Sequence, residues 1–393
     1  MPGRGAARVS PIVVREVAGG GDVAAFDGLP AALGGEAAGW TVALPGEARF
    51  VHDPRWNPAL REWHLARFVA RREGRAIRRV AAAMPRDPAV ARGVGHFGFL
   101  ALEEDPAVLR ALLEAAGGWL RARGAARLRG PLSFSINHEV GARVDGSGGV
   151  PAMLRMPRNP GWLPPMLDAA GLEREKDVLA CTLTVAAERH RARFAAARAR
   201  WEGARDLSVR PIRVSRLGAE IEGVRDLFND AWADNWGASP VTAAEAAVMR
   251  RLLAPLLLAG RVFLAEWRGE AVGVLSIVPN PEEGAAAGAG WWRVPRQLLG
   301  GGRTARVPML GVRRAWRGTP VSAMATGALL SAGIGLAERR GWEQVEVSWI
   351  LEDNGPMLRL MARLPAPVTG RWRIWGRELA GAGVAPVAFE EGP

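Results

Sequence analysis

The sequence predicts a mixed α/β protein in which one βαβ-containing unit occurs twice along the chain. Three observations support this prediction: two hairpin segments with a central glycine, two helix–strand segments that lead to an asparagine, and amphipathic helices at matching places. With 393 residues, 49% of them hydrophobic, the chain is long enough for two domains with buried cores.

The first repeated feature is a hairpin centred on Gly74 and again on Gly269, 195 residues later. In each copy an extended segment leads into a charged residue, the glycine and a second charged residue. An alanine and a β-branched residue then open a second strand. Two strands joined by such a short glycine turn are typical of a β-hairpin.

The second repeated feature is a helix that ends in Arg-Gly and is followed by a strand and an asparagine. Gly124 precedes Asn137 by 13 residues, and Gly341 precedes Asn354 by the same 13 residues. The offset between the copies has grown by 22 residues, which a Gly/Ala/Pro-rich insertion around residues 280–304 accounts for. We therefore predict two copies of one unit.

Helical patterns define the domain limits. Apolar residues recur every three or four positions over 108–120, and a matching helix runs over 320–340, each closed by a glycine at the position of a helix C-cap. We predict a disordered N-terminus over 1–10, a first domain over 11–185, a connecting helix over 186–207, a second domain over 208–380 and a flexible tail over 381–393.

The composition excludes several classes of protein. Lys176 is the only lysine, so nearly all of the basic charge comes from arginines, which are dispersed and not gathered into a nucleic-acid-binding run. The single cysteine, Cys181, excludes an intramolecular disulfide, and with five scattered histidines we expect no metal site. No apolar run exceeds that of residues 252–259 and no secretory signal opens the sequence, so we expect a cytoplasmic protein.

The predicted order of elements, together with the segment MLGVRRAWRGTPVSAM at 309–324, resembles the GNAT superfamily of acyl-CoA N-acyltransferases, present here twice. The resemblance implies two tandem GNAT-like domains, each a twisted mixed sheet flanked by helices. It also implies acyl-CoA as co-substrate, with its pyrophosphate held at a helix N-terminus. Pro320 and Ser322 depart from the glycines of the superfamily turn. The residues implied to bind acyl-CoA are Leu310, Gly311, Val312, Arg317, Gly318, Thr319, Val321, Ser322 and Asn354.

The corresponding turn of the first copy is acidic, because Glu103, Glu104 and Asp105 precede Pro106. Three carboxylates would repel a pyrophosphate, so we expect a degenerate donor site in the first domain and acyl-CoA in the second domain. Asp105 followed by proline is also a good helix N-cap, which explains part of the same pattern.

A narrower resemblance covers most of the chain. The segments at 130–137, 144–146, 156–160, 228–237 and 347–354 are similar to a bacterial family of tandem GNAT-like proteins that includes bacterial ceramide synthases. The resemblance implies transfer of an acyl group to a primary amine, with the amine of a sphingoid base as one acceptor. The alternative is a non-catalytic GNAT-fold module that binds a ligand or partner, which the absence of tyrosine, the usual leaving-group acid of this fold, favours.

The strand at 345–351 supplies the candidate catalytic residues. Strict alternation places Glu346, Ser348 and Ile350 on one face, opposite Trp349, with Glu352 following in the register of Glu346. A carboxylate on this strand is a plausible base for the attacking amine, although a salt bridge to an arginine would also explain it. The candidates are Glu346, Ser348 and Glu352.

The resemblance to the GNAT fold implies that the acceptor side lies at the end of the helix that begins near residue 217. Two amides, two carboxylates and two indoles are concentrated over 229–237, more than helix termination needs. The first-domain segment 135–139 is its counterpart. The candidate acceptor-binding residues are Asn137, Glu139, Asn229, Asp230, Trp232, Asn235 and Trp236, while inward-packing tryptophans and a helix end are the simpler alternative.

One further segment concerns the membrane. Trp291, Trp292 and Arg293 lie in the insertion, and aromatic and basic residues together favour a membrane surface. A peripheral contact with the inner membrane is therefore one expectation, and a simple surface loop is the other. The oligomeric state is left open.

Overall fold

The structure is a computed structural model, and it describes residues 11–41, 51, 56–145, 153–185, 205–283 and 301–379. The predicted disordered N-terminus, most of the predicted connecting helix, the insertion with Trp291 and Trp292, and the predicted tail lie outside the described residues.

Thirteen strands account for both predicted hairpins. They are β1 (Val13–Glu16), β2 (Trp63–Arg72), β3 (Arg75–Pro85), β4 (Val94–Ala101), β5 (Arg127–Gly130), β6 (Ala142–Arg143), β7 (Glu173–Thr184), β8 (Leu207–Pro211), β9 (Arg261–Trp267), β10 (Glu270–Pro279), β11 (Thr304–Val312), β12 (Gln344–Leu351) and β13 (Val368–Glu378). The turns at Gly74 and Gly269 join β2 to β3 and β9 to β10, and both glycines have positive φ, which side chains disfavour.

Eight helices lie in the described residues, and several of them begin at a capping side chain. They are α1 (Gly20–Ala32), α2 (Pro88–Ala91), α3 (Pro106–Arg121), α4 (Leu163–Ala169), α5 (Leu217–Trp232), α6 (Ala243–Ala259), α7 (Pro320–Arg340) and α8 (Gly355–Arg363). Asp105 caps α3 by accepting hydrogen bonds from the amides of Ala107 and Val108, as its sequence position predicted. Gly341 ends α7 in the left-handed conformation.

All thirteen strands of the described residues belong to one sheet. The order is β1-β2-β3-β4-β5-β13-β7-β12-β11-β10-β9-β8, and the short strand β6 pairs with β13. Two neighbouring pairs are parallel, β4 with β5 and β11 with β12. The sheet is therefore mixed and flanked by helices, as predicted for the fold class.

The two halves exchange their last strands. β7, from the first half, lies beside β12 of the second half, and β13, the last strand of the chain, lies between β5 and β7. Each half thus completes its sheet with a strand of the other half. This exchange was not predicted from the sequence.

Each half has its own apolar core around its long helix. α3 packs against β2 and β3 in the first half, and α7 packs against β9, β10 and β11 in the second half. α7 is the one described helix that is long and apolar enough to cross a membrane, and 44% of that stretch is buried inside the protein. Its contacts with three strands make it a core helix of the second half.

Candidate active site

A gap opens in the second half of the sheet where β11 and β12 diverge. The two strands pair in parallel from Thr304 with Gln344 to Val307 with Val347, and β11 then continues to Val312 without further pairing to β12. The predicted acyl-CoA residues Leu310, Gly311 and Val312 therefore lie along this diverging part of β11. Backbone exposed between splayed strands is available to a ligand.

Glu346 lies next to this divergence and is nearly buried, with 5% of its surface exposed. Its carboxylate accepts a hydrogen bond from the hydroxyl of Ser348, which is 2% exposed. Burial raises the pKa of Glu346 above its ordinary value, while the Ser348 hydrogen bond and the charges of Arg306 and Arg143 oppose the increase. A carboxyl group with a raised pKa is suited to accept a proton near neutral pH.

The predicted alternation along β12 holds as far as Ser348 and is wrong beyond it. The pairing with β7 shifts between Ser348 and Ile350, so that Trp349 is bulged out of the register. Ile350 consequently packs with Val345 and Val347, and Trp349 lies on the Glu346 face, where the guanidinium of Arg306 lies 5.0 Å from the centre of its ring.

Glu352 does not join Glu346. Its carboxylate accepts hydrogen bonds from the amide of Asp177, at 3.1 Å, and from the guanidinium of Arg174. The register shift that displaces Trp349 also removes Glu352 from the register of Glu346. The structure therefore gives Glu352 a role in joining β7 to the end of β12.

Two polar residues that face Glu346 from the neighbouring strands, the buried Arg306 and the half-buried Thr182, were not predicted from the sequence. Arg306, opposite Glu346 on β11, donates to the Ser348 hydroxyl at 2.9 Å and to the Ser348 carbonyl at 3.2 Å. On the other side, Thr182 faces Glu346 on β7, and its hydroxyl lies 2.7 Å from that of Thr369 on β13. A polar row thus crosses four central strands, and an arginine inside an otherwise apolar strand was the only signal for it.

The predicted donor turn lies between β11 and α7. The hydroxyl of Thr319 caps α7 by accepting from the amide of Ser322, and Gly318 has φ +77° with open space where a side chain would begin. Among the described residues, the amide of Gly318 has no hydrogen-bond partner, whereas the amides of six neighbours already donate within the protein: Arg313, Arg314, Trp316, Arg317, Thr319 and Ser322. The turn therefore offers fewer free amides than a glycine-rich one.

Cationic side chains surround the same turn. Arg314 donates to Asp230 and, at 3.1 Å, to Asp234, while Arg317 donates to the carbonyl of Ala231. The side chains of Arg314 and Arg317 remain about half exposed, at 46% each. A free amide at a helix N-terminus beside exposed guanidinium groups fits a phosphate ligand.

Three other residues predicted to bind acyl-CoA, namely Gly311, Asn354 and Val321, contact the protein itself. Trp232 packs on Gly311 so closely that a Cβ at residue 311 would lie 2.4 Å from its ring. The side chain of Asn354 accepts a hydrogen bond from the amide of Met357 at 3.2 Å and so caps α8. Val321, half-buried in the first turn of α7, packs against the apolar core of the second half.

The predicted acceptor segment, 229–237, divides into two parts. Its first part stabilises the fold and the donor turn. The side-chain amide of Asn229 donates to the carbonyl of Val241 and accepts from its backbone amide, and Asp230 accepts from the Arg314 amide at 2.9 Å. Its second part, with the half-buried Asn235 and Trp236, meets the first half of the chain.

Three first-half residues contact the second half near the acceptor segment, namely Asn137, Arg129 and Lys176. Asn137 donates to the carbonyl of Ser239 at 2.8 Å, two residues beyond the acceptor segment. The indole of Trp236 lies under Arg129, at 4.5 Å, and near Lys176, at 5.8 Å. Glu139, in contrast, turns away and accepts from Ser133 at 3.2 Å beside a cavity of about 60 Å³ in the first half.

The first half lacks the chemistry of the second at the equivalent positions. The register of β4 with β5 pairs His96 with Arg129, where β11 and β12 pair Arg306 with Glu346. Burial lowers the pKa of His96 to about 4, so this imidazole is neutral. The divergence between β4 and β5 is also filled, because the amide of Leu132 donates to the carbonyl of Phe97 at 2.7 Å. The position of the candidate base is thus occupied by an arginine.

Comparison with known proteins agrees with this architecture. The chain is 30% identical to the bacterial ceramide synthase of Caulobacter vibrioides over 90% of this chain and 94% of that protein. It is 28% identical to the protein YghO of Escherichia coli K12, over 86% of this chain and 92% of that protein. No protein-family model matches the chain.

Solved structures show the same fold. A tandem GNAT protein from the clavulanic acid biosynthesis pathway superposes with a TM-score of 0.55 at 18% identity, covering 94% of this chain and 99% of that one. A GCN5-related N-acetyltransferase from Sphaerobacter thermophilus superposes with a TM-score of 0.50 at 16% identity, covering 94% of this chain and 96% of that one. The tandem arrangement of two GNAT units is thus shared along nearly the whole chain.

Proposed function

We propose that this chain, which belongs to the tandem GNAT-fold acyltransferase family of the bacterial ceramide synthase, transfers a long-chain acyl group from acyl-CoA to the primary amine of a sphingoid base. The observation that carries the assignment of chemistry is the nearly buried Glu346 beside the divergence of β11 and β12. The name of the Caulobacter relative supports the class of acceptor.

Glu346 is the base of this proposal. The amine attacks the thioester carbonyl as the C–N bond forms and the C–S bond breaks, and Glu346 accepts the proton that the amine loses. Ser348 and Arg306 fix the carboxylate through the hydroxyl that donates to it. Because a thiol has a low pKa, its thiolate can leave without a protein acid and take a proton from solvent afterwards, so the reaction does not require the tyrosine that this chain lacks.

The donor binds to the second half in this proposal. Gly318 and the half-exposed Arg314 and Arg317 would hold its pyrophosphate, and the diverging edge of β11 would accompany its pantetheine arm. When bound, acyl-CoA supplies the activated carbonyl. The first half, with Arg129 at the base position, supports the acceptor side through the hydrogen bond of Asn137 to Ser239 and the contact of Arg129 with Trp236 of the second half.

Calorimetric titration with acetyl-CoA and palmitoyl-CoA, the latter below its micelle concentration, tests the donor site. We expect palmitoyl-CoA to bind and the double variant Arg317→Ala/Gly318→Asp to lose at least about tenfold in affinity, because the variant loses one cation and gains a carboxylate beside the free amide of residue 318. The matched control, Glu104→Ala in the acidic turn of the first half, should bind like the wild type. Equal binding by the double variant would contradict a donor site in the second half.

Mass spectrometry of the reaction products tests the acceptor. Wild-type protein with palmitoyl-CoA should convert sphinganine to its N-acyl product faster than it converts a short soluble amine such as ethanolamine. Binding of acyl-CoA without turnover of either amine would favour the non-catalytic alternative.

The location in the cell is part of the same proposal. A long-chain amine and a long-chain thioester both partition to membranes, so we propose a cytoplasmic protein that works at the surface of the inner membrane. Recovery of activity in the membrane fraction at low salt and in the soluble fraction at high salt is the expected result.

A further inference from the structure

Arg306 connects the candidate base to the other half of the molecule. The residue lies in the centre of β11, is 3% exposed, and directs all three guanidinium nitrogens at hydrogen-bond acceptors. Nε and Nη2 donate to the hydroxyl and the carbonyl of Ser348. Nη1 donates to the carbonyl of Leu154, which belongs to the first half, at 2.6 Å.

The first-half segment that Arg306 holds is also fixed at two other points on the second half. The amide of Leu154 donates to the side chain of Asn280 at 3.1 Å, and the amide of Arg155 donates to Glu282 at 3.3 Å. Three hydrogen bonds from three different residues thus attach two consecutive residues of the first half beside the candidate base. Such an arrangement is more than surface packing requires.

From this geometry we propose that Arg306 is a positioning residue that orients Glu346 through Ser348 and makes this orientation depend on the docking of Leu154 and Arg155. The inference rests on the proposed function, since it assigns Arg306 a role in the same reaction. It adds that the first half contributes a backbone carbonyl to the support of the catalytic carboxylate. The first half is then an obligatory part of the active site.

Charges around Glu346 determine what removal of Arg306 would do. Arg306 from β11 and Arg143 from β6 face the carboxylate, and the thiol of Cys181 lies behind it on β7. Arg306 itself faces Glu282 and Arg155, and burial lowers its own pKa to about 10, so it stays charged at neutral pH. Loss of this cation removes a charge that lowers the pKa of Glu346, and the carboxylate would therefore protonate at higher pH.

The test combines two readouts on full-length Arg306→Met, Arg306→Lys and, as matched control, Arg78→Met. Arg78 is a similarly buried arginine, 5% exposed, which pairs with Glu103 in the first half, away from the site. The first readout is the pH profile of kcat/KM for N-acylation of sphinganine by palmitoyl-CoA. The second is hydrogen exchange of the amides of Leu154 and Arg155, which requires no activity.

For Arg306→Met we expect the acid limb of kcat/KM to move to higher pH, with a loss of about tenfold on that limb that shrinks at alkaline pH. We also expect faster exchange at Leu154 and Arg155. Arg306→Lys keeps the cation, so its acid limb should lie at the pH of the wild type. Arg78→Met should leave both the pH profile and the exchange rates unchanged. A merely structural arginine would lower kcat/KM equally at all pH values.

An unchanged acid limb in Arg306→Met, or exchange at Leu154 and Arg155 equal to that of Arg78→Met, would overturn the inference. The proposed function fails by a different result, namely wild-type turnover in Glu346→Gln. The exchange measurement still decides whether Arg306 holds the first half in that case.

Discussion

At the scale of single residues, the sequence located the candidate base but not what surrounds it. Glu346 stands out as a carboxylate in an apolar strand, and the structure places it beside the divergence of two strands. Its partners Arg306 and Arg143 lie about 40 and about 200 residues away along the chain. Only the fold brings them together, so no local pattern could have shown the network.

The error on β12 also arises at one residue. Alternation predicts Trp349 opposite Glu346, but one unpaired residue in a strand reverses the faces of all that follow. Bulges depend on the neighbouring strand. Because that neighbour is the exchanged strand β7, the sequence around Trp349 carried no indication of the shift.

Gly376 leaves room for an ionic contact of Glu175 with two arginines. Glu175 crosses over it to bond Arg127 and Arg129, and a Cβ at residue 376 would lie 1.7 Å from the Glu175 carboxylate. We therefore expect Gly376→Ala to lower the free energy of unfolding by about 2 kcal/mol or more, because Glu175 must leave its partners. Urea denaturation measures the change.

The control for this prediction is Gly118→Ala, in α3, where nothing lies within 4 Å of the added methyl group. An alanine in a helix interior should stabilise the protein by up to about 1 kcal/mol. If Gly376→Ala is as stable as wild type, Glu175 does not depend on the bare backbone at residue 376.

At the scale of elements, helix ends were the most predictable feature. The range of α7, 320–340, and its end at Gly341 follow from local chemistry. A proline favours the first turn of a helix, and a left-handed glycine ends the last turn. The places of the last strands β7 and β13 were harder to predict, because their pairing joins residues far apart along the chain.

The end of α7 gives a prediction at this scale. Gly341→Ala forces a side chain into the left-handed region at φ +69° and should destabilise the protein by about 1 kcal/mol. Gly327→Ala, inside the same helix with open space around it, should instead stabilise by a similar amount. Thermal unfolding of the two variants should move in opposite directions, and a shift in the same direction would contradict the assigned cap.

The junction of β7 and β13 gives a pH-dependent prediction. Asp177, 1% exposed, accepts from Arg371 and Arg373 on β13. Burial alone would raise the pKa of Asp177, but the hydrogen bonds from these arginines outweigh it and lower the pKa below its ordinary value. The carboxylate therefore stabilises the fold above its unfolded pKa of about 4, and this stabilisation is lost as the pH falls through the lower folded value.

Asp177→Asn should accordingly cost about 3 kcal/mol of stability at neutral pH, and the difference from wild type should shrink in acid. Asp206→Asn is the matched control, because Asp206 pairs with Arg268 at the exposed surface and should cost less than about 1 kcal/mol. Urea melts at several pH values check both. A cost for Asp177→Asn that does not vary with pH would show that its charge is not what joins the strands.

At the scale of the whole molecule, the repeat was predictable and its interlocking was not. Equal spacings between glycine and asparagine reveal two copies of a unit, but the partner of a strand depends on contacts between residues far apart in sequence. The exchange of β7 and β13 joins the halves through backbone ladders. It also brings Asn137, Arg129 and Leu154 of the first half to the site of the second.

The exchange predicts that the halves stay together after the chain between them is cut. With a protease site introduced between residues 186 and 204, the cleaved fragments should co-elute in gel filtration, because β13 and β7 remain paired across the junction. Fragments 1–185 and 208–393 expressed separately should each lack a closing strand and fail to fold. Elution of two separate folded fragments after cleavage would contradict the strand order.

The central claim is that Glu346 accepts the proton of the attacking amine. The most direct measurement is the single-turnover rate of N-acylation of sphinganine with palmitoyl-CoA for wild type, Glu346→Gln and Glu352→Gln. We predict a loss of about 10²- to 10⁴-fold for Glu346→Gln with palmitoyl-CoA binding retained, and a near wild-type rate for Glu352→Gln. A near wild-type rate in Glu346→Gln would contradict the account.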